Sequence, residues 1–139
     1  MYPGSMFCLS MKEKLESSRP TIQNLSFPKG IGKEELFQNL VIRPVVKLLH
    51  DLLMVHFKQY LTTKKIAFSQ LSEKEKTNFI ESSFNKDLTF RSEIRGLVIG
   101  HFSTDEFLLY ATMQRGLNKR INSILKERIN SNRQNFIDE

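Results

Sequence analysis

From Lys33 onward, apolar residues recur every three or four positions, the period of a helix that buries one face. Leu36, Phe37, Leu40 and Val41 share such a face in the first stretch, and Pro44 follows it. Proline has no backbone N–H to donate and its ring collides with the carbonyl four residues earlier, yet it suits the first turn of a new helix. A break near Ile42 and Arg43 is predicted, with a kinked continuous helix as the alternative. In residues 45–61 the polar side chains Lys47, His50, Asp51 and Lys58 collect on one narrow stripe when positions are spaced about 100° apart. So wide an apolar arc predicts a central helix, packed from several sides or shared with another subunit. Met54 and Leu61 fall on the stripe itself, where an isolated molecule would expose charge, so both are candidates for an interface.

Ser72 with Glu75, and Ser103 with Glu106, have the spacing of a capping box, in which each side chain accepts the other residue's backbone N–H. The first box predicts a helix from Glu73 that buries Phe79, Ile80 and Phe84. The next helix starts near Asp87 to Thr89, turns Phe90, Ile94, Leu97 and Val98 inward and ends at Gly100, so a tight corner leads to the helix opened by Ser103. That helix uses Phe107, Leu108, Tyr110 and Ala111, and Gly116 ends or bends it. A last helix aligns Leu117, Ile121, Ile124, Leu125 and Ile129. Nothing alternates with period two for long enough to make a strand, so the pattern predicts an all-α compact bundle of about five helices over residues 33–139. Residues 1–32 hold three of the four prolines and three of the six glycines and lack a sustained apolar period, which predicts a flexible tail.

Charge changes this picture at the ends. Residues 1–33 carry five positive and two negative groups, residues 34–114 ten of each, and residues 115–139 six and three, so the net charge of +6 lies at the two termini. The single cysteine, Cys8, excludes an intramolecular disulfide and a cysteine metal cage and fits a reducing, cytoplasmic setting. No apolar run long enough to span a bilayer is present, and the start lacks the layout of a secretory signal, so no membrane partner is expected.

Three histidines are the candidates for chemistry. His50 lies on the polar stripe and reads as a solvated imidazole. His56 sits within the apolar arc beside Leu52 and Tyr60, as a hydrogen-bonded core histidine or as part of a pocket. His101, in the tight corner, suits the carbonyl end of the preceding helix and is the other candidate for a pocket. His50 and His56 are on different faces, so no helical metal pair exists, and neither a metal nor another cofactor is expected.

Ser92, Gly96 and Gly100 form a strip of small residues. Each helical glycine costs about 1 kcal/mol relative to alanine, which predicts a compensating close approach of a neighbouring helix. Lys119, Lys126 and Arg133 align on one outer line of the last helix at intervals of about 10 Å, a candidate basic face able to track phosphates. The corner before Ser103 is not a DNA-reading helix-turn-helix, because its second helix would open with Asp105 and Glu106. Arg128 falls inside the apolar stripe and must snorkel or find a carboxylate: Glu81, Asp87, Glu93 or Asp105 within the chain, or one across an interface.

The stretches LFQNLVIRPVVKLLHDLL, FRSEIRGLVIGHFSTDEFLLY and GLNKRINSILKERI resemble a group of short helical bacterial proteins over residues 34–130. The resemblance implies a helical fold and no established activity. The glyoxalase label carried by some of that group is not transferred, because glyoxalases have paired βαβββ units with metal ligands on strands, and neither is present in this sequence. The functional expectation is a non-enzymatic helical interaction module whose partner is its own copy or another protein. The alternatives are a weak nucleic-acid binder using the basic ends, and a small-molecule enzyme or binding protein using a pocket near His56 or His101.

Overall fold

The computed structural model describes residues 32–136, and within them the protein is all-α, without a strand. The predicted flexible tail lies outside these residues, save Gly32, which N-caps the first helix. Helix α1 (Lys33–Phe37) runs into a π-helical turn (Gln38–Ile42) and then into α2 (Arg43–Leu48), which has Pro44 in its first turn. The break foreseen at Pro44 thus takes the form of a wider turn. Widening the helix ahead of proline moves the carbonyls that its ring would strike and absorbs the missing donor. Leu49 then departs from helical geometry (φ −87°, ψ 7°), but its N–H still reaches Val45 O and its carbonyl accepts Leu53 N–H at 2.8 Å. The rod therefore continues into α3 (His50–Thr63).

Helix α3 stops in a way that sequence does not announce. Lys65 takes a left-handed conformation (φ 57°), its N–H donates to Thr62 O at 3.1 Å, and Ile66 N–H donates to Leu61 O at 3.0 Å. These are the two bonds of a Schellman cap, with lysine where glycine is usual. The cap folds Ile66 back toward Leu61, which is 4% exposed; Leu61 belongs to the core and is no interface residue. A 3-10 turn (Phe68–Gln70) leads to α4 (Glu73–Lys86), α5 (Leu88–Ile99), α6 (Thr104–Thr112) and α7 (Gln114–Ser131), with a last 3-10 turn at Arg133–Asn135. Both expected capping boxes are formed, Asp87 caps α5 through Phe90 N–H at 3.1 Å, and Gly100 is the C-cap of that helix. Helices α6 and α7 are separate, broken at Met113 (φ −130°) and not at Gly116.

The central helix is α7, which packs on α2 to α6 and on the π turn and buries Leu117, Ile121, Ile124, Leu125 and Ile129. Residues 45–61, expected to be central, are covered on one side only: Leu49, Leu53, Phe57 and Leu61 face inward and Leu48, Leu52 and Val55 face out. Phe57 anchors an aromatic cluster with Phe68, Phe90 and Phe136, the last ring at 4.8 Å. Helix α4 buries Ile80 and Phe84 and half-buries Phe79. Helix α6 buries Tyr110 as expected, but departs from expectation by burying Glu106 while Phe107, Leu108 and Ala111 are exposed. No helix of the described residues is long and apolar enough to cross a membrane.

Candidate functional site

A furrow lies between α3 and α5. The two helices run antiparallel, since His56 meets Phe90 and Glu93 whereas Tyr60, one turn further along α3, meets Phe90 and Asp87. The furrow encloses about 380 Å³ and has the Tyr60 and Phe90 rings as its apolar lining, their centroids 4.2 Å apart. This volume is at the low end for small-molecule sites. His56 and Glu93 form one rim, Nε2 of the imidazole donating to Oε1 at 2.6 Å. The other imidazole nitrogen, Nδ1, is buried without a partner.

At the opposite end Asp87 holds three donors. It caps α5 through Phe90 N–H, accepts the Tyr60 hydroxyl at 3.0 Å and pairs with Lys64 Nζ at 3.4 Å. The backbone N–H of Phe90 is the main reason its carboxyl lies below the ordinary range, with Tyr60 and Lys64 adding to the effect. Burial pushes the Tyr60 hydroxyl up, and the neighbouring Asp87 carboxylate raises it further, so Tyr60 stays a phenol and a donor. Asp87, Tyr60, Glu93 and Nε2 of His56 thus tie α3 to α5. A general base needs a free lone pair facing a substrate proton. One nitrogen of His56 is engaged and the other is buried, so the imidazole does not offer one.

The structure separates the residues that sequence reasoning grouped. His56 lines the furrow, whereas His101 caps α5 with Nδ1 2.7 Å from Leu97 O. Met54 is half-buried against the core. Among the described residues Arg128 pairs with no carboxylate: its Nη1 contacts His50 Nδ1 at 3.0 Å beside a small cavity of about 230 Å³ that Arg43 and Asn132 also line. His50 is accordingly half-buried and not a solvated group. The carboxylates proposed for Arg128 are engaged elsewhere, Glu93 with His56, Asp87 with Lys64 and Glu81 with Lys126.

The basic face is largely neutralised. Lys126 pairs with Glu81 and Arg133 with Glu73, both at 2.8 Å, so two of its three cations stitch α7 and the following turn to α4; Lys119 is exposed. The small-residue strip is corrected too. Ser92 and Gly96 are exposed, and a Cβ placed on Gly96 would meet nothing within 4 Å. Gly100 approaches only the backbone of its own helix, so among the described residues no neighbouring helix packs on the strip. Close approach occurs instead at Gly116, where the Glu34 carboxylate fills the place of a side chain beside Arg120.

Sequence reasoning missed the outward stripe Leu48, Leu52 and Val55, exposed by 45%, 45% and 64%. The four- and three-residue spacing was legible, but nothing local says which side of an all-round apolar helix stays bare. Among the described residues, no group of three or more His, Cys, Asp or Glu side chains is placed to hold a metal ion. No family model, curated protein or solved structure matches the chain.

Proposed function

We propose that the protein is a non-enzymatic helical interaction module that engages a second protein chain, its own copy or another, through the outer face of α2 and α3. The observation that supports this is the exposed stripe of Leu48, Leu52 and Val55 along α2 and α3. Three apolar side chains at helical spacing form a surface onto which an amphipathic helix lies. The engaged state of the furrow's polar groups also speaks for binding over catalysis.

The test is a photo-crosslinker at Val55 of the full chain, with light scattering over a range of concentrations. A dimer that Leu52→Glu dissociates supports self-association. A monomer that forms one discrete crosslinked adduct in its native cell, lost in Leu52→Glu, supports a different partner. A monomer without a Leu52-dependent adduct overturns the reading.

A second reading places a small molecule in the furrow, whose lining brings His56, Tyr60 and the carboxylates of Asp87 and Glu93 around one space. It requires the His56 ring resonances to shift on addition of a small-molecule mixture, and unmoved resonances remove it. The nucleic-acid alternative loses support from the pairing of Lys126 and Arg133 with acidic residues of α4.

A further inference from the structure

Among the described residues, Arg128 is a half-buried cation without a carboxylate partner. Its Nη1 meets Nδ1 of His50 at 3.0 Å. A guanidinium has only donors to offer, so Nδ1 accepts and the imidazole carries its proton on Nε2. His50 therefore satisfies one N–H of Arg128 and supplies no negative charge. The buried side-chain atoms left without a hydrogen bond among the described residues are His56 Nδ1 and Asn122 Oδ1, so the other guanidinium nitrogens of Arg128 are open to a ligand.

Arg43 brings a second guanidinium to the same place. It opens α2, which packs on α7, and with Arg128, Ser131 and Asn132 it lines the cavity of about 230 Å³. Its Nε donates to Asn39 Oδ1 at 3.3 Å, one turn back, and its two terminal nitrogens have no partner among the described residues. The exposed Glu127 also lines the cavity, so two positive charges face one negative. Asn132 Nδ2 donates to Arg128 O at 2.7 Å and so covers a carbonyl in the last turn of α7 that would otherwise repel an anion.

We propose that this cavity binds a phosphate group, as the free ion or as part of a small molecule, between Arg43 and Arg128, a role additional to contact with a second chain. Each guanidinium presents a planar fork of N–H groups that matches two phosphate oxygens, and such charge-assisted bonds are about twice as strong as neutral ones. Sites that enclose a whole small molecule start at about 300 Å³. In this smaller cavity the phosphate enters and any organic body stays outside.

The test is titration of the isotope-labelled full chain with inorganic phosphate and with phenyl phosphate at constant ionic strength, read from the arginine Nε and imidazole signals. Those of Arg43, Arg128 and His50 are expected to move together and saturate, while His101, which caps α5, and His56 in the furrow stay in place. Arg43→Gln and Arg128→Lys are each expected to weaken binding by about tenfold, the lysine because it keeps the charge and loses the fork. Arg43 is exposed, so its variant keeps the fold and decides the matter even if Arg128→Lys unfolds. Equal affinity for the two compounds supports a site for the free ion, and tighter binding of phenyl phosphate supports one for a phosphate ester. Movement that does not saturate, that sodium chloride reproduces, or that survives Arg43→Gln at full affinity overturns the proposal.

Discussion

His56 and Glu93 lie 37 residues apart in the chain and 2.6 Å apart in space, the imidazole Nε2 donating to the carboxylate across the α3–α5 furrow. The pair is asymmetric: Glu93 is largely in water, while Nδ1 of the same imidazole is buried without a partner. A solvated ion pair contributes about 0–1 kcal/mol, and a buried unsatisfied nitrogen costs about 1–3 kcal/mol. His56→Leu is therefore expected to leave stability unchanged or raise it by about 1 kcal/mol in urea unfolding. A loss of 2 kcal/mol or more would show that the imidazole has a compensating partner.

Asp87 makes stability depend on pH in a stated direction. Its folded-state pKa is held below the ordinary value of 3.8, first by the Phe90 N–H. The stabilisation is therefore complete above that value and is lost as pH falls through the lower, folded one. Asp87→Asn keeps a capping oxygen and removes the titration, so the variant should lose less stability than the parent between pH 4 and pH 2 in thermal melts. Some acid slope will remain, because Glu73, Glu75 and Glu81 are also held low, chiefly by hydrogen bonds from Gln134, Ser72 and Lys126. Identical pH profiles for the two proteins would contradict the cap's role.

Lys65 carries backbone strain at the end of α3. A left-handed residue with a Cβ costs about 1–2 kcal/mol, a penalty glycine does not have. Lys65→Gly should raise stability by about 1 kcal/mol after glycine's greater freedom in the unfolded chain is set against it. Calorimetry of the two proteins checks this, and a lowered melting temperature would mean the lysine side chain holds the cap.

Gly96 distinguishes an open surface from a packed one. With nothing within 4 Å of its missing Cβ, Gly96→Ala should stabilise α5 by about 1 kcal/mol through helix propensity alone. Gly96→Leu should also fold, with little change in the unfolding midpoint. A loss of several kcal/mol in either variant would reinstate a close helix contact.

What could be read from sequence followed the range of each signal. The capping boxes at Ser72 and Ser103 act over three residues, and both are where the spacing put them, while the helix start expected near Asp87 to Thr89 is an N-cap at Asp87. The glycine strip misled because a glycine that admits a neighbour and a glycine that faces water look alike in one dimension. Leu61 misled because its cover comes from a Schellman cap closed by Lys65, without the glycine that usually marks one. Arg128 reached His50 and not a carboxylate, a choice made between residues 78 apart, after packing had already committed Asp87 and Glu93 to α3 and its C-cap. His56 lines the furrow, and its partner Glu93 had no local signature.

The π turn over Gln38–Ile42 amounts to one residue more than an α-helix of that rise would hold. Wound as plain α-helix with all its residues kept, this stretch would add one residue's step, and everything ahead of it would rotate by about 100°. Phe37 would then leave the Phe102 ring, and Glu34 would swing away from Gly116 and Arg120. The angle at which the first turn meets α7 is thus held by the one extra residue that the wide turn absorbs ahead of Pro44.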